Sequence, residues 1–263
     1  MAKSKPRLRT SGDAAWKNPQ PESSMNSLKD RKVVVTGSTS GIGLALVKAL
    51  HAAGAKVLAH GRTAEKTDTL RTSNAGISTF AGDVREPDFA KRLVSSAVEQ
   101  IGGCDVLVNN AGIVWAGPAE RATPEKISEM VAVNIDSPFK VAHEAIAYFK
   151  KQNAGHLINV TSIVGLKARI YSGIYSGTKH AMEALSDSLR QELARTQIQV
   201  SCIEPGMTLT GLHRDFKEHP MKAMQVETPL TAEDIVDAII FTMTRPSHVT
   251  IANLVILPKD QRT

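Results

Sequence analysis

From Leu28 onward the chain alternates short apolar runs with segments of helical spacing, and that alternation leaves few folds open. "KVVVTG" ends in glycine and leads into "IGLALVKALHAAG", whose apolar residues recur at helical intervals as far as Gly54. "AKVLAHG" then reads as a strand and "TAEKTDTLRTS" as a polar helix with Thr63 at its cap. "ISTFAGDV" and "CDVLVNNAG" flank the helical "PDFAKRLVSSAVEQIG"; "HLINVTS" and "IQVSCIEPG" each follow a longer helical stretch, and "HVTIANLVIL" closes the series. Seven such runs alternating with helices predict an α/β fold, a doubly wound parallel seven-stranded sheet covered on both faces. No boundary interrupts 28–263, which reads as one domain. In such a sheet ligands sit beyond the carboxyl ends of the strands, so the residues following each strand are where chemistry is expected.

Residues 1–27 break the pattern. They carry three prolines, no apolar periodicity, and five basic residues (Lys3, Lys5, Arg7, Arg9, Lys17) against Asp13 and Glu22, a net of +3 out of the chain's +6. This composition predicts a flexible basic extension. Without interleaved aromatics it makes a poor nucleic-acid or lipid footprint, so neither nucleic acid nor membrane is expected as a partner. The beginning lacks the apolar stretch of a signal peptide, and no run reaches the ~18 residues of a membrane span. Cys104 and Cys202 both lie in apolar runs, which predicts buried free thiols in a reducing, cytoplasmic setting. No Cys/His cluster has metal-ligand spacing.

"TGSTSGIG", Thr36 to Gly43, joins the first strand to the first helix. Gly37 permits a tight exit, Gly41 a close backbone approach, and Gly43 close packing of helix on strand. Free amides at the start of a helix, with the positive end of its dipole, suit a pyrophosphate. Ser40 and Ile42 belong to the same cradle. Further on, "YSGTK" sets Tyr175 and Lys179 four residues apart on one helical face. A tyrosine of ordinary pKa, about 10, exchanges protons poorly at neutral pH, and lowering it by ~3 units takes ~4 kcal/mol of differential stabilisation. A neighbouring ammonium is expected to supply part of that.

The T-G-x-x-x-G-x-G turn, "NNAG" at Asn109 to Gly112 and Y-x-x-x-K at Tyr175 together resemble the classical short-chain dehydrogenase/reductase family, in that family's order and over nearly all of the chain after residue 27. The resemblance implies a three-layer Rossmann domain that binds a nicotinamide nucleotide and interconverts a small-molecule alcohol and ketone. By the same resemblance Ser162, thirteen residues before Tyr175, orients and polarises the substrate carbonyl. Asn134 holds a water linking Lys179 to solvent, and Lys179 also holds the nicotinamide ribose. Asp83 and Val84 flank the adenine, and Asn110, Ala111 and Gly112 wall the ribose. Pro205 and Gly206 turn beneath the nicotinamide, Thr208 meets its carboxamide, and Thr210 meets phosphate.

The nucleotide is expected to be NADP(H). Gly61 stands where the family's NAD enzymes carry aspartate, and Arg62 follows it; a guanidinium can hold a 2′-phosphate that a carboxylate would repel. Ser38 is expected to add a hydroxyl contact. Residues 207–227 read as a flap over the substrate, where three methionines and Phe216 could line a pocket and His213 and Arg214 could meet a carboxylate; solvated charges on an amphipathic flap fit as well. The segment after it resembles the 3-hydroxy acid (serine-type) dehydrogenases and related carbonyl reductases, implying a small 3-hydroxy acid, with a bulkier cyclic or steroid-like ketone as the alternative. Family members commonly form homotetramers or homodimers through the helices around 123–150 and 174–196. A reading of another class, a non-catalytic nucleotide-sensing protein, sits poorly with the presence of both Tyr175 and Lys179.

Overall fold

A computed structural model describes residues 28–214, 216 and 220–262; the basic extension expected at 1–27 lies outside these. The seven strands form one parallel sheet in the order β3-β2-β1-β4-β5-β6-β7. They are β1 (Lys32–Val35), β2 (Lys56–Gly61), β3 (Ser78–Ala81), β4 (Val106–Asn109), β5 (Gly155–Val160), β6 (Ile198–Pro205) and β7 (Asn253–Ile256). The helices are α1 (Gly41–Ala52), α2 (Ala64–Ser73), α3 (Phe89–Ile101), α4 (Pro124–Val131), α5 (Ser137–Gln152), α6 (Gly173–Leu193), a short α7 (Pro220–Ala223) and α8 (Ala232–Met243). The order reverses between β1 and β4, and a crevice opens at such a switch point beyond the carboxyl ends of the strands.

The strands read as apolar runs because both faces are covered. Val33 and Val35 of β1, Val57 and Ala59 of β2, Val106 and Val108 of β4, Ile158 and Ile203 join α1 and α8 in one core. Val34, Leu58, Leu107, Leu157 and Val200 point the other way, into a second core with α3 and α5. The closing run yields a shorter strand than its apolar length suggests, only Asn253–Ile256, and that strand ends the sheet with Val255 exposed. At α8 a capping box makes the helix start legible: Thr231 Oγ1 accepts from the Asp234 N–H, and the Asp234 carboxylate accepts from the Thr231 N–H.

The long helical stretch before β5 departs from the simple reading. It is two α-helices joined by a π-helical turn, Ala132–Asp136, which carries Asn134. Such a turn inserts a residue into the helical ladder and re-aims the helix downstream of it. Apolar spacing alone does not reveal it, because the flanking helices keep their periodicity.

Among the described residues no helix is long and apolar enough to cross a membrane. Both cysteines are buried and free.

At the start of β5 the main chain lies against the fully buried ring of Phe149, and a Cβ on Gly155 would stand 2.1 Å from the ring's Cγ. Gly155→Ala is therefore expected to lower the unfolding free energy by about 1–3 kcal/mol, the usual cost of overpacking. Urea titration measures the loss, and Phe149→Leu in the same chain should restore part of it.

Candidate active site

The glycine turn after β1 is held open by hydrogen bonds from three directions. Thr36 Oγ1 accepts from the N–H groups of Asn110 and Ala111, both at 3.0 Å. Asn110 Nδ2 donates to the carbonyls of Thr36 (2.9 Å) and Gly37 (3.1 Å). His60, buried in β2, accepts from the Gly37 N–H at its Nδ1 (3.1 Å), which makes Nε2 the protonated nitrogen, donating to the Gly82 carbonyl at 3.0 Å. Burial lowers the pKa of His60, in keeping with this neutral tautomer. Gly37 is left-handed at φ 69°, and a Cβ on Gly43 would meet the Gly37 carbonyl oxygen at 2.4 Å. The strand–turn–helix contact thus closes without room for a side chain.

The start of α1 is suited to an anion. Ser40 at the cap makes no side-chain hydrogen bond to the helix, and no acidic residue stands in the first turn. Gly41, at φ 53°, faces the Thr210 side chain, whose Cβ is 3.4 Å from where a Gly41 Cβ would be. The turn after β6 therefore meets the turn after β1 at Thr210. Ile42 packs its side chain against the core, leaving its main chain to the turn. Ser38 does not behave as expected. It is fully buried, and its hydroxyl donates to the Val35 carbonyl at 2.7 Å, so the side chain points into the fold and away from a ligand.

At the end of β2, Gly61 has no space for a side chain: a Cβ would lie 2.4 Å from Thr39 Cγ2 and 2.8 Å from Thr67 Cγ2. Arg62 follows it, exposed, and its charge is felt at Asp83. Asp83 is clamped by Arg85, whose Nε and Nη2 donate at 2.9 and 2.5 Å. These bonds, above all, hold the Asp83 carboxyl down at about 2. Any ligand using Asp83 shares it with Arg85, a partner two residues along that family spacing did not bring to notice. Val84 beside it is half-buried against the second core.

The remaining groups meet beyond β4, β5 and β6. Ser162 caps a short 3₁₀ turn after β5; its hydroxyl accepts from the Val164 N–H (3.3 Å) and donates to the Pro205 carbonyl (3.4 Å). Tyr175, in the first turn of α6, lies near enough to Ser162 for that hydroxyl to lower its pKa. Lys179, one turn on and 7% exposed, brings its Nζ to 5.8 Å from the centre of the Tyr175 ring and donates to the Val160 carbonyl at 3.0 Å. A Cβ on Gly112 would lie 3.4 Å from Asn134 Oδ1 and 3.8 Å from Lys179 Nζ, so these three converge at one point. Asn134 is fully engaged: Nδ2 donates to the Ile113 carbonyl (2.8 Å) and Thr178 Oγ1 (3.2 Å), and Oδ1 accepts from the Ile113 N–H (2.9 Å). Its amide anchors the loop after β4 to α6. Gly206 is enclosed by Gln261 and Leu257, and Thr208 is buried with its hydroxyl donating to the Gly206 carbonyl at 3.1 Å. In the flap, Phe216 packs edge-on against His213 with ring centres 5.5 Å apart; other flap positions, 215 and 217–219, lie outside the described residues.

The electrostatics correct one expectation. A phenol made acidic by its lysine neighbour is not what the protein alone produces. Burial pushes Tyr175 up to about 12, and the neighbouring Ser162 hydroxyl only partly offsets it. Lys179 is itself lowered to about 8 by burial, with Glu183 the main opposing charge. The ammonium faces a carbonyl and a carboxylate on its own side of α6, and desolvation outweighs its pull on the ring. Tyr175 is a protonated phenol at neutral pH in this state. Sequence spacing places the pair but carries no information on the dielectric around it.

The short chain dehydrogenase family model matches residues 31–220. An uncharacterized oxidoreductase of Staphylococcus aureus is 32% identical over 236 residues, 89% of this chain and 100% of that protein. Among solved structures, the closed form of serine dehydrogenase complexed with NADP+ superposes with a TM-score of 0.82 at 29% identity, covering 88% of this chain and 96% of that one. The 3-ketoacyl-(acyl-carrier-protein) reductase from Brucella melitensis complexed with NADH gives 0.81 at 25% identity, with 89% and 99% covered. With the parallel sheet, the glycine turn and the Ser162–Tyr175–Lys179 cluster in their places, this chain belongs to the short-chain dehydrogenase family and is an oxidoreductase of that class.

Proposed function

We propose that the protein is an NADP(H)-dependent oxidoreductase that interconverts a secondary alcohol and a ketone, with Tyr175 as general acid and base. The observation that carries this reading is the meeting of Ser162, Tyr175 and Lys179 beyond β5, next to a glycine turn with uncapped helix amides.

The residues fit the nucleotide. The start of α1 and Thr210 would hold the pyrophosphate, and Asn110, Ala111 and Gly112 would flank the ribose. Pro205, Gly206 and Thr208 would support the nicotinamide. Arg62 would bind the 2′-phosphate, a preference supported by the absence of room for an acidic side chain at Gly61. When bound, the nucleotide would supply the hydride and, oxidised, a positive charge.

The chain's own residues orient the carbonyl and move one proton. The Ser162 hydroxyl can turn from the Pro205 carbonyl, a long bond at 3.4 Å, to the substrate oxygen. The Tyr175 hydroxyl, protonated in this state, then donates to that oxygen as negative charge develops, which is the reductive sense. In the oxidative sense the same atom must accept a proton. Bringing a phenol from about 12 to neutral pH takes ~7 kcal/mol. Asn134 keeps Gly112, Ile113 and α6 in register around Lys179.

A small 3-hydroxy acid is the substrate class that the likeness to serine dehydrogenase supports. A bulkier cyclic ketone is the second reading, favoured by apolar side chains exposed on loops at this end of the sheet: Ile170 (80% exposed) and Tyr171 before α6, and Leu209 and Leu212 after β6. We further propose a homotetramer working in the cytoplasm. The apolar face of α5 packs within the chain, so Ile127 and Val131, exposed on α4, support the assembly better than the long helices' own periodicity. The two buried free thiols suit a reducing compartment.

Absorbance at the nicotinamide band, followed over 3-hydroxy acids, ketones and steroids, tests the reaction; tight NADPH binding without turnover on any of them would sink it. Tyr175→Phe is expected to abolish turnover while the NADPH Kd, read by fluorescence, stays within about twofold. Arg62→Asp is expected to raise the KM for NADPH by about 10- to 100-fold, the worth of a charge-assisted hydrogen bond, and to leave that for NADH nearly unchanged. Equal changes for the two nucleotides would remove the 2′-phosphate assignment.

A further inference from the structure

Behind Lys179, on the side away from the crevice, two glutamates occupy the interior. Glu183 lies one turn along α6 from Lys179, and Glu204 is fully buried near the end of β6. The Asn253 amide joins them: its Nδ2 donates to Glu183 Oε2 at 3.1 Å and to Glu204 Oε1. The two carboxyl groups are thus brought together on one amide nitrogen. Yet Glu183 Oε1 and Glu204 Oε2 are both buried with no donor.

No charged group around the pair supplies one, and the neutral Cys202 thiol near Glu183 is at most a weak donor. Arg190 of α6 donates to Asn253 Oδ1 (3.0 Å), to the Ala252 carbonyl (3.1 Å) and to Asp187, so its charge reaches Glu204 only through space. The Cys202 thiol, on the same face of β6, is pushed up to about 12 by burial and stays neutral. Asn159 of β5 gives its Nδ2 to Ser186 at 2.8 Å. α5 meets this face of β6 through the apolar second core, and α8 packs on the opposite, Ile203 face. Lys179 is the remaining charge, and Glu183 is the first group opposing its neutralisation.

Two ionised carboxylates side by side out of water repel each other, and each unpartnered buried oxygen costs roughly 1–3 kcal/mol. One proton held by the pair removes that repulsion and gives a buried oxygen its missing hydrogen. We propose that Glu183 and Glu204 form a carboxyl–carboxylate pair sharing one proton, and that the pair is a positioning device for Lys179, its charge determining how long that lysine remains an ammonium as pH rises. Burial first, then the Glu183 charge and hydrogen bond, against the Asn253 bond, raises Glu204 to about 7. Loss of the shared proton near neutrality therefore adds negative charge beside Lys179 just below the pH at which the lysine would itself deprotonate. The pair opposes the loss of the ammonium.

Carbon-13 NMR of the cofactor-free protein, labelled at glutamate Cδ and lysine Cε, tests this without any substrate. One glutamate is expected to titrate near 7 in the wild type and to vanish in Glu204→Gln. The Lys179 midpoint, assigned by Lys179→Met, is expected to fall by about one unit, tenfold in proton affinity, in Glu183→Gln, and to fall by less in Glu204→Gln. Thermal stability gives a second sign: a glutamate whose pKa is raised on folding loses stability progressively from the ordinary carboxylate range up to about 7, so Tm should decline over that window and the decline should lessen in Glu204→Gln. A purely structural role would move neither midpoint. Both glutamates titrating in the ordinary range, or an unmoved Lys179 in Glu183→Gln, overturns the proposal. The kinetic counterpart, a basic limb of kcat shifted the same way, rests on the oxidoreductase reading above; absence of turnover would sink that reading and leave the titrations standing.

Discussion

An ammonium taken out of water has to be compensated where it stands, and Lys179 is 7% exposed. The Val160 carbonyl accepts one of its protons at 3.0 Å, and Glu183 supplies the opposing charge. The first contact ties α6 to the end of β5; the second lies within α6, one turn along. Tyr175 and Thr178 stand on the same turn of α6, and Thr178 in turn accepts from Asn134, the residue that fastens the loop after β4. The segments that shape the crevice are thus arranged around one buried cation. Its partial neutralisation by burial is the physical tension that the site has to manage.

The glycine turn is built on another kind of constraint, close approach of main chains. Gly43 admits the Gly37 carbonyl, and Gly61 admits Thr39 and Thr67, at distances that exclude any Cβ. Polar side chains then hold the geometry: Thr36 and Asn110, just beyond β1 and β4, and His60 within β2. Each takes part from a different strand, so the turn is rigid only because the parallel sheet brings three strand ends into line. Anion-binding amides at α1 are a consequence of that alignment rather than of the glycines alone.

Much of this was legible in the residues alone. The period-two core facing both ways, the parallel order and the points where loops follow strands come from apolar runs bounded by glycine and polar residues, which are local signals. Tyr175 and Lys179 share a helical face by spacing, and Ser162 follows a strand. Other features carried no local mark. Ser38 turns inward to the Val35 carbonyl; Arg85 takes the Asp83 carboxylate; the π turn around Asn134 hides within unbroken helical periodicity. Glu183 and Glu204, 21 positions apart and set in otherwise apolar or helical context, give no hint in sequence that the Asn253 amide joins them.

What the order of residues determined by itself was which segments become strands and helices and which side chains stand at their ends, because periodicity and turn chemistry act over a few neighbours. The tertiary structure alone decided the protonation of those side chains. The dielectric around Tyr175, the carbonyl that Lys179 meets and the second carboxylate that Glu183 meets are all set by residues distant in the chain. Desolvation and Coulomb interaction depend on those distances in space, and spacing along the backbone does not contain them.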